Sequence, residues 1–212
     1  MLIQTFPAGP LGCNCSVVVD PASKTAVVID PGGDLPAIRA VVEQAGAKVT
    51  AILHTHTHVD HVGCTAELQE WAGAPARIHE KDRPLYEMLP VQAALLGIRQ
   101  PAPAEMDGDL LDGGSVGAGA AEITVLHTPG HTPGSVSFLL RGPGGAVAFT
   151  GDTLFRRSVG RTDLWGGDSG ALLLSVKRKL LTLDDATRVV PGHGPETTIG
   201  EEKLKNPFLK GR

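Results

Sequence analysis

The chain has 212 residues, 42% of them hydrophobic and 20% charged, which is enough for one substantial core or at most two small domains. Nineteen basic residues against 23 acidic ones leave a net charge of −4, which argues against the broad basic face of a nucleic-acid surface. No stretch approaches the ~20 apolar residues of a membrane span, and the three cysteines, Cys13, Cys15 and Cys64, make no disulfide framework.

Residues 14–20 and 25–30 are β-branched runs around Pro21-Ala-Ser-Lys and read as a hairpin. Pro31-Gly-Gly breaks the sheet. Asp34 is placed to cap a helix running to about residue 46, with Leu35, Ile38, Val41 and Val42 on one face. Residues 49–53 form a short apolar strand, central in its sheet, and a helix is predicted from Asp60 to about Gly73. Residues 77–79 read as a strand, and 82–98 as helix with Leu85, Met88, Leu89, Leu95 and Leu96. Residues 99–108 read as a Pro-rich loop. Strands follow at Val116, 123–126, 135–140 and 146–150, then an amphipathic helix at 171–183, a last strand at 188–190 and a short helix at 201–205. Strands and helices, then strands and helices again, predict an α/β fold. Two β layers lie inside two helical ones, a four-layer αββα sandwich forming a single domain over 1–212.

Residues 55–61 read Thr-His-Thr-His-Val-Asp-His. Positions i and i+2 of an extended strand end point the same way, roughly 6–7 Å apart. His56 and His58 can therefore converge on one ion, while Asp60 and His61 open the next helix and suit a second. His131 lies in a His-Thr-Pro-Gly turn, Asp152 in Thr-Gly-Asp-Thr and His193 in Pro-Gly-His-Gly. Asp152 follows an apolar strand, and its two oxygens can bridge ions about 3.5–4 Å apart. Closed structural zinc sites are rich in cysteine, whereas this set is His and Asp only and points to catalytic ions. His54 and His127 are read as packing or as supports for the ligands, His79 as structural, and Lys177-Arg178-Lys179 as a solvated helix face.

These ligand motifs resemble the metallo-β-lactamase superfamily. Val28-Ile29-Asp30-Pro31-Gly32-Gly33-Asp34, Gly160-Arg161-Thr162-Asp163-Leu164, Pro191-Gly192-His193-Gly194-Pro195 and Asn206-Pro207-Phe208-Leu209 narrow the resemblance. They look like the short, single-domain glyoxalase II (hydroxyacylglutathione hydrolase) group, over residues 14 to 209. The resemblance implies the metallo-β-lactamase fold and two divalent metal ions, zinc first, with iron or manganese as substitutes. It would place His56, His58 and His131 on one ion, Asp60, His61 and His193 on the other, and Asp152 between them, with Asp60 and Asp152 counted as catalytic. The implied reaction is hydrolysis of a hydroxyacyl-thiol such as S-lactoylglutathione by metal-activated water. A thiolate leaving group of pKa about 8.5 departs without a strong general acid.

Arg161 is the candidate substrate-binding residue, through its planar fork on a carboxylate, with a pair to Asp163 as the alternative. Two departures stand out. Longer glyoxalase II enzymes carry a C-terminal helical domain that helps hold glutathione, whereas only 19 residues follow His193 here, so either loops recognise the carrier or the carrier is not glutathione. Position 54, usually apolar in such relatives, is His. The rival reading is a mononuclear iron persulfide dioxygenase of the same fold, which shares a Gly-Arg-Thr-Asp segment. A metal-dependent nuclease is disfavoured by the acidic balance. The expected partner is a small-molecule acyl-thiol, with no nucleic acid and no membrane. Sparse cysteines and an N-terminus without a leader pattern predict a cytoplasmic protein.

Overall fold

Strands that are apolar on both faces need a layer on each side, and the chain supplies them. A computed structural model describes residues 1–210, so the last two residues of the expected 1–212 domain lie outside the described residues. The first half gives β1 (Leu2–Ala8), β2 (Cys13–Asp20), β3 (Thr25–Ile29), α1 (Leu35–Gln44), β4 (Lys48–Leu53), α2 (Val59–Val62), α3 (Thr65–Ala72), β5 (Ala76–Ile78), α4 (Arg83–Glu87), α5 (Leu89–Leu96) and β6 (Met106–Asp109). The second gives β7 (Ser115–Ala118), β8 (Ala121–His127), β9 (Val136–Gly142), β10 (Gly145–Gly151), β11 (Leu154–Phe155), β12 (Ser158–Val159), α6 (Ser169–Ser175), β13 (Arg188–Pro191), β14 (Thr197–Thr198) and α7 (Ile199–Lys205).

One sheet runs β1-β2-β3-β4-β5-β6, antiparallel to β3 and parallel from β3 to β6. The other runs β14-β13-β10-β9-β8-β7, with β10 and β13 parallel. Val18, Val27, Ile29 and Leu53 of the first sheet meet Val125, Phe138, Phe149 and Val190 of the second in the inner core. The alternate residues Val17, Val19, Ala26, Val28 and Ile52 pack outward on Ile38, Val42 and Leu68 of α1 and α3. On the far face, Val189 packs with Leu154, Val176, Leu180 and Ile199. This is the expected αββα sandwich, and each fully buried Val or Leu contributes about 1.5–3 kcal/mol to it. No helix among the described residues is long and apolar enough to cross a membrane.

Several local expectations are corrected. Asp34 sits at the start of α1 in a left-handed conformation (φ 56°) without capping it; its Oδ2 instead accepts the Gly9 N–H at 3.0 Å. The helix expected from Asp60 to Gly73 is two helices. At the break, Gly63 packs so closely on the Gly32 carbonyl that a Cβ would clash, and Cys64 N donates to Pro31 O at 3.0 Å rather than to the helix. The 82–98 helix divides at Met88, where Pro90 enters the first turn of α5, and Leu95 and Leu96 are solvent-exposed rather than core. The end of the 99–108 loop pairs with β5 as edge strand β6. The 171–183 helix widens into a π-turn at Val176–Leu180. Strand β1, half exposed at the sheet edge, gives no clear alternation to read.

The Asn-Pro-Phe-Leu end has a structural account. Glu202 is fully buried and accepts bonds from Arg157 N (2.8 Å), Arg157 Nη1 (2.8 Å), Thr197 Oγ1 (2.7 Å) and Asn206 Nδ2 (2.8 Å). Asn206 Nδ2 also reaches Ser158 O at 3.0 Å, so α7 is tied to the β11–β12 hairpin. Glu202→Ala is expected to cost about 3–5 kcal/mol, the usual price of breaking a buried charge network by removing one partner. Urea unfolding of the variant against the parent chain measures it.

Candidate metal centre

Strand ends at one edge of the two sheets carry every ligand. His56 and His58 follow β4, Asp60 and His61 lie in α2, His131 is in the β8–β9 turn, Asp152 follows β10 and His193 follows β13. The structure brings all seven together. His131 Nε2 lies 2.9 Å from His58 Nδ1 and 3.6 Å from Asp152 Oδ2. His61 Nε2 lies 3.5 Å from Asp152 Oδ1 and 3.8 Å from Asp60 Oδ2, and His193 Nε2 is 3.0 Å from Asp60 Oδ2. The donor atoms of His56, His58 and His131 form one group that could hold an ion, and those of His56, His61 and Asp152 another. Asp152 therefore turns one oxygen towards His61 and the other towards His131.

The outward nitrogens settle which atom each imidazole offers. His56 Nδ1 is 3.1 Å from Thr55 Oγ1, whose own hydrogen goes to Asp30 Oδ2 at 2.7 Å. His61 Nδ1 donates to Asp30 Oδ2 at 3.1 Å, and His131 Nδ1 to Arg161 O at 2.8 Å. With Nδ1 protonated, each ring presents the lone pair of Nε2 to the centre, the tautomer a metal needs. Among the described residues, His56 Nε2, His61 Nε2 and Asp152 Oδ1 are buried with no hydrogen-bond partner. A cation is the partner that would satisfy all three, so the donor set fits divalent metal.

The electrostatics agree for three of the rings, whereas Cys13, Asp30, Asp60 and Asp152 raise His61 against its burial and the bond to Asp60 raises His193, so those two must give up a proton to serve as ligands. Burial holds His56 well below the usual histidine range, pushes His58 down to about 3 and lowers His131, so these rings are neutral ligands. Burial alone would raise Asp60 and Asp152; His61 and the neighbouring histidines outweigh it and hold both carboxyls below their usual range. Cys13 Sγ is 3.4 Å from His61 Nδ1, but burial pushes its thiol up to about 12, so it is a neutral neighbour.

Gly192 makes the close approach of these groups possible. A Cβ there would collide with Asp152 Oδ1 and the His61 ring. Gly192→Ala is expected to lower bound metal per folded chain, measured by elemental analysis after equilibrium dialysis. Asn14 holds the same turn, donating through Nδ2 to Pro191 O and Gly194 O, both at 2.9 Å.

Two acids at the site have no role in the sequence reading. Asp30 (φ 50°, buried) accepts Thr55 N at 2.7 Å besides its bonds to Thr55 Oγ1 and His61. Its signal was an acid closing an apolar strand before Pro-Gly-Gly. Asp82 is fully buried and accepts from Thr57 N (3.1 Å), Thr132 Oγ1 (2.9 Å) and Gly134 N (2.6 Å). It ties the His56–His58 turn to the His131 turn. Arg161 is exposed, with its fork on Asp163 at 2.7 and 2.8 Å, while its backbone oxygen orients His131. His54 is fully buried between His61 O and Thr65 Oγ1, both at 3.3 Å, and burial lowers it to about 4. His79 and His127 stack with ring centroids 4.1 Å apart, and His127 Nε2 lies 3.0 Å from Pro133 O in the His131 turn. Lys177 and Arg178 are exposed, while Lys179 reaches Asp112 Oδ2 at 2.6 Å.

Comparison with known proteins places this arrangement. The profile of the metallo-beta-lactamase superfamily matches residues 8–193. Hydroxyacylglutathione hydrolase GloC of Haemophilus influenzae is 37% identical over 219 residues, covering 100% of both chains. Among solved structures, the BLEG-1 B3 metallo-beta-lactamase is 39% identical with a TM-score of 0.90, over 99% of this chain and 100% of that one. TTHA1623 in a di-iron-bound form is 44% identical with a TM-score of 0.86 and the same coverage.

Proposed function

The chain belongs to the metallo-beta-lactamase superfamily of metal-dependent hydrolases, and we propose that this member hydrolyses thioesters, in the manner of a hydroxyacylglutathione hydrolase. The observation that carries the reading is Asp152 standing between two sets of ligands with one oxygen turned to each. Two divalent ions bound there would supply Lewis acidity for the substrate carbonyl and a water acidic enough to react near neutral pH.

The chain's own residues limit the leaving group. Asp60 and Asp152 are both held in the ionised form, so neither donates a proton near neutral pH. A thiolate, of pKa about 8.5, leaves without one, whereas an amine does not. Thr55, Asp30 and the Arg161 carbonyl keep the imidazole protons on the outer nitrogens and so hold the ligand rings in place. Zinc is the metal we favour, and the di-iron form of TTHA1623 supports iron as an alternative. A mononuclear iron dioxygenase, the rival, needs only a two-His, one-carboxylate face; four of the seven ligands, Asp60, His61 and His193 among them, would then be surplus. All three cysteines are free and buried, which suits a reducing compartment, and we assign the enzyme to the cytoplasm.

The test is steady-state hydrolysis of S-lactoylglutathione by metal-loaded protein, with released thiol followed over time. A kcat/KM within the enzyme range of ~10⁴–10⁸ M⁻¹s⁻¹ is expected. Oxygen consumption with glutathione persulfide, and no thioester cleavage, would replace the hydrolase reading with the dioxygenase one.

A further inference from the structure

Helix α2 is four residues long, too short to hold its own shape, yet it carries Asp60 and His61. A helix start leaves N–H groups without partners inside the helix, and the residue before it ordinarily caps one of them with a side-chain oxygen. Here that residue is His58, which makes no capping bond. Its imidazole faces the centre instead, with Nδ1 2.9 Å from His131 Nε2. A ring turned to the ligands cannot also cap the helix, so the cap comes from elsewhere in the fold.

Gln92 of α5 supplies it. Its Oε1 accepts the Val59 N–H, the first of α2, at 3.0 Å. Its Nε2 donates to Thr57 O at 3.3 Å and to Leu85 O at 2.8 Å. Both amide hydrogens are thus used, and turning the amide over would set its oxygen against two carbonyls and its NH2 against an N–H. Thr57 O belongs to the peptide group before His58, and Val59 N to the one after it. One side chain therefore grips the backbone on both sides of a ligand. Leu89 and Ala93, the buried neighbours of Gln92 on α5, pack with Val59 and Val62 and keep the two helices in contact.

The other ligand rings are aimed differently. His56, His61 and His131 are held through their outer nitrogens by Thr55, Asp30 and the Arg161 carbonyl. Among the described residues, the hydrogen-bond contact of the His58 ring is with His131 itself. Its direction is therefore set by its backbone. We propose that Gln92 is a positioning residue of the metal centre, which aims His58 at the ion it would share with His56 and His131. Those three donors form one group in the structure. The inference concerns how the centre is held, and it stands whether or not the enzyme cleaves thioesters.

The test uses full-length protein loaded with cobalt(II), read by competition with a chromophoric chelator and by the d–d absorption of the bound ions. In Gln92→Met, the ion held by His56, His58 and His131 is expected to bind about 10–100-fold more weakly, the range for groups that support metal ligands from outside. The ion at Asp60, His61 and His193 is expected to weaken by a smaller factor, because Asp30 still holds His61. The d–d absorption is expected to change as the His58 nitrogen is lost. Gln92→Asn keeps the amide but withdraws it by one methylene, and is expected to act in the same direction with less disturbance of the fold; circular dichroism establishes that each variant is folded. Parental affinity and spectrum in a folded variant would overturn the proposal. So would equal weakening of both ions with an unchanged spectrum, which would leave Gln92 as a support of the fold alone.

Discussion

Asp152→Asn is expected to lower kcat by ~10²–10³-fold, the scale on which removing one preorganised electrostatic group acts, and to reduce bound metal below two ions per chain. The carboxylate turns Oδ1 towards His61 Nε2 and Oδ2 towards His131 and His193. An amide replaces one of those oxygens with an NH2 group, which donates and carries no negative charge. One ligand set then loses its shared acceptor, and the negative charge that would balance two cations is gone. Kinetics and metal content measured on the same preparation decide the matter. A folded, fully loaded variant with parental turnover would refute a two-ion scheme bridged by this residue.

The second large effect is expected at Asp82, far from the ligands in sequence. Asp82→Ala leaves the Thr57 N–H, the Thr132 hydroxyl and the Gly134 N–H without their acceptor, and Thr132 and Gly134 flank the turn of His131. Buried donors left unsatisfied cost about 1–3 kcal/mol each, so a loss of several kcal/mol in urea unfolding is expected. Burial pushes the Asp82 carboxyl up to about 6, against the pull of its three donors. Its ionised form is nevertheless the one present at neutral pH, where three acceptor bonds are required of it. Because the two tied turns carry His56, His58 and His131, the ion assigned to them should bind about 10–100-fold more weakly, as with other groups that support metal ligands from outside. Competition with a chromophoric chelator separates that loss from the other ion. Asp82→Asn, which keeps one acceptor oxygen, should recover part of the stability. Equal affinity of both ions in Asp82→Ala would show that the carboxylate holds the fold without positioning the ligands.

The difference between Asp152 and Asp82 also marks what could be read in advance. His56, His58, Asp60 and His61 cluster in a turn that has no packing use for them, and the other ligands sit beside glycines and prolines that fix the backbone. Asp82 has Lys81 and Arg83 as neighbours, which reads as a solvated stretch; only the tertiary fold turns it inward. The same limit appears in the elements. The strands β2 to β4 and β8 to β10 are legible because burial on both faces demands continuous apolar runs. The break at Gly63 is not, because its cause is the Gly32 carbonyl, about thirty residues away in the chain. Strand β1 is half exposed and β6 pairs only along one edge, so neither carries the composition of a buried strand.

His56, His58, Asp60 and His61 hang from the first sheet, whereas His131, Asp152 and His193 hang from the second. In the ligand sets that the resemblance implies, an ion in either would span the two sheets and act as a reversible cross-link along one seam of the sandwich. Elsewhere the sheets are held together by apolar packing. Metal affinity would then also be adhesion between the halves, growing with free metal as RT ln(1 + [M]/Kd), and scarcity of metal would open the protein first along the edge that carries the ligands.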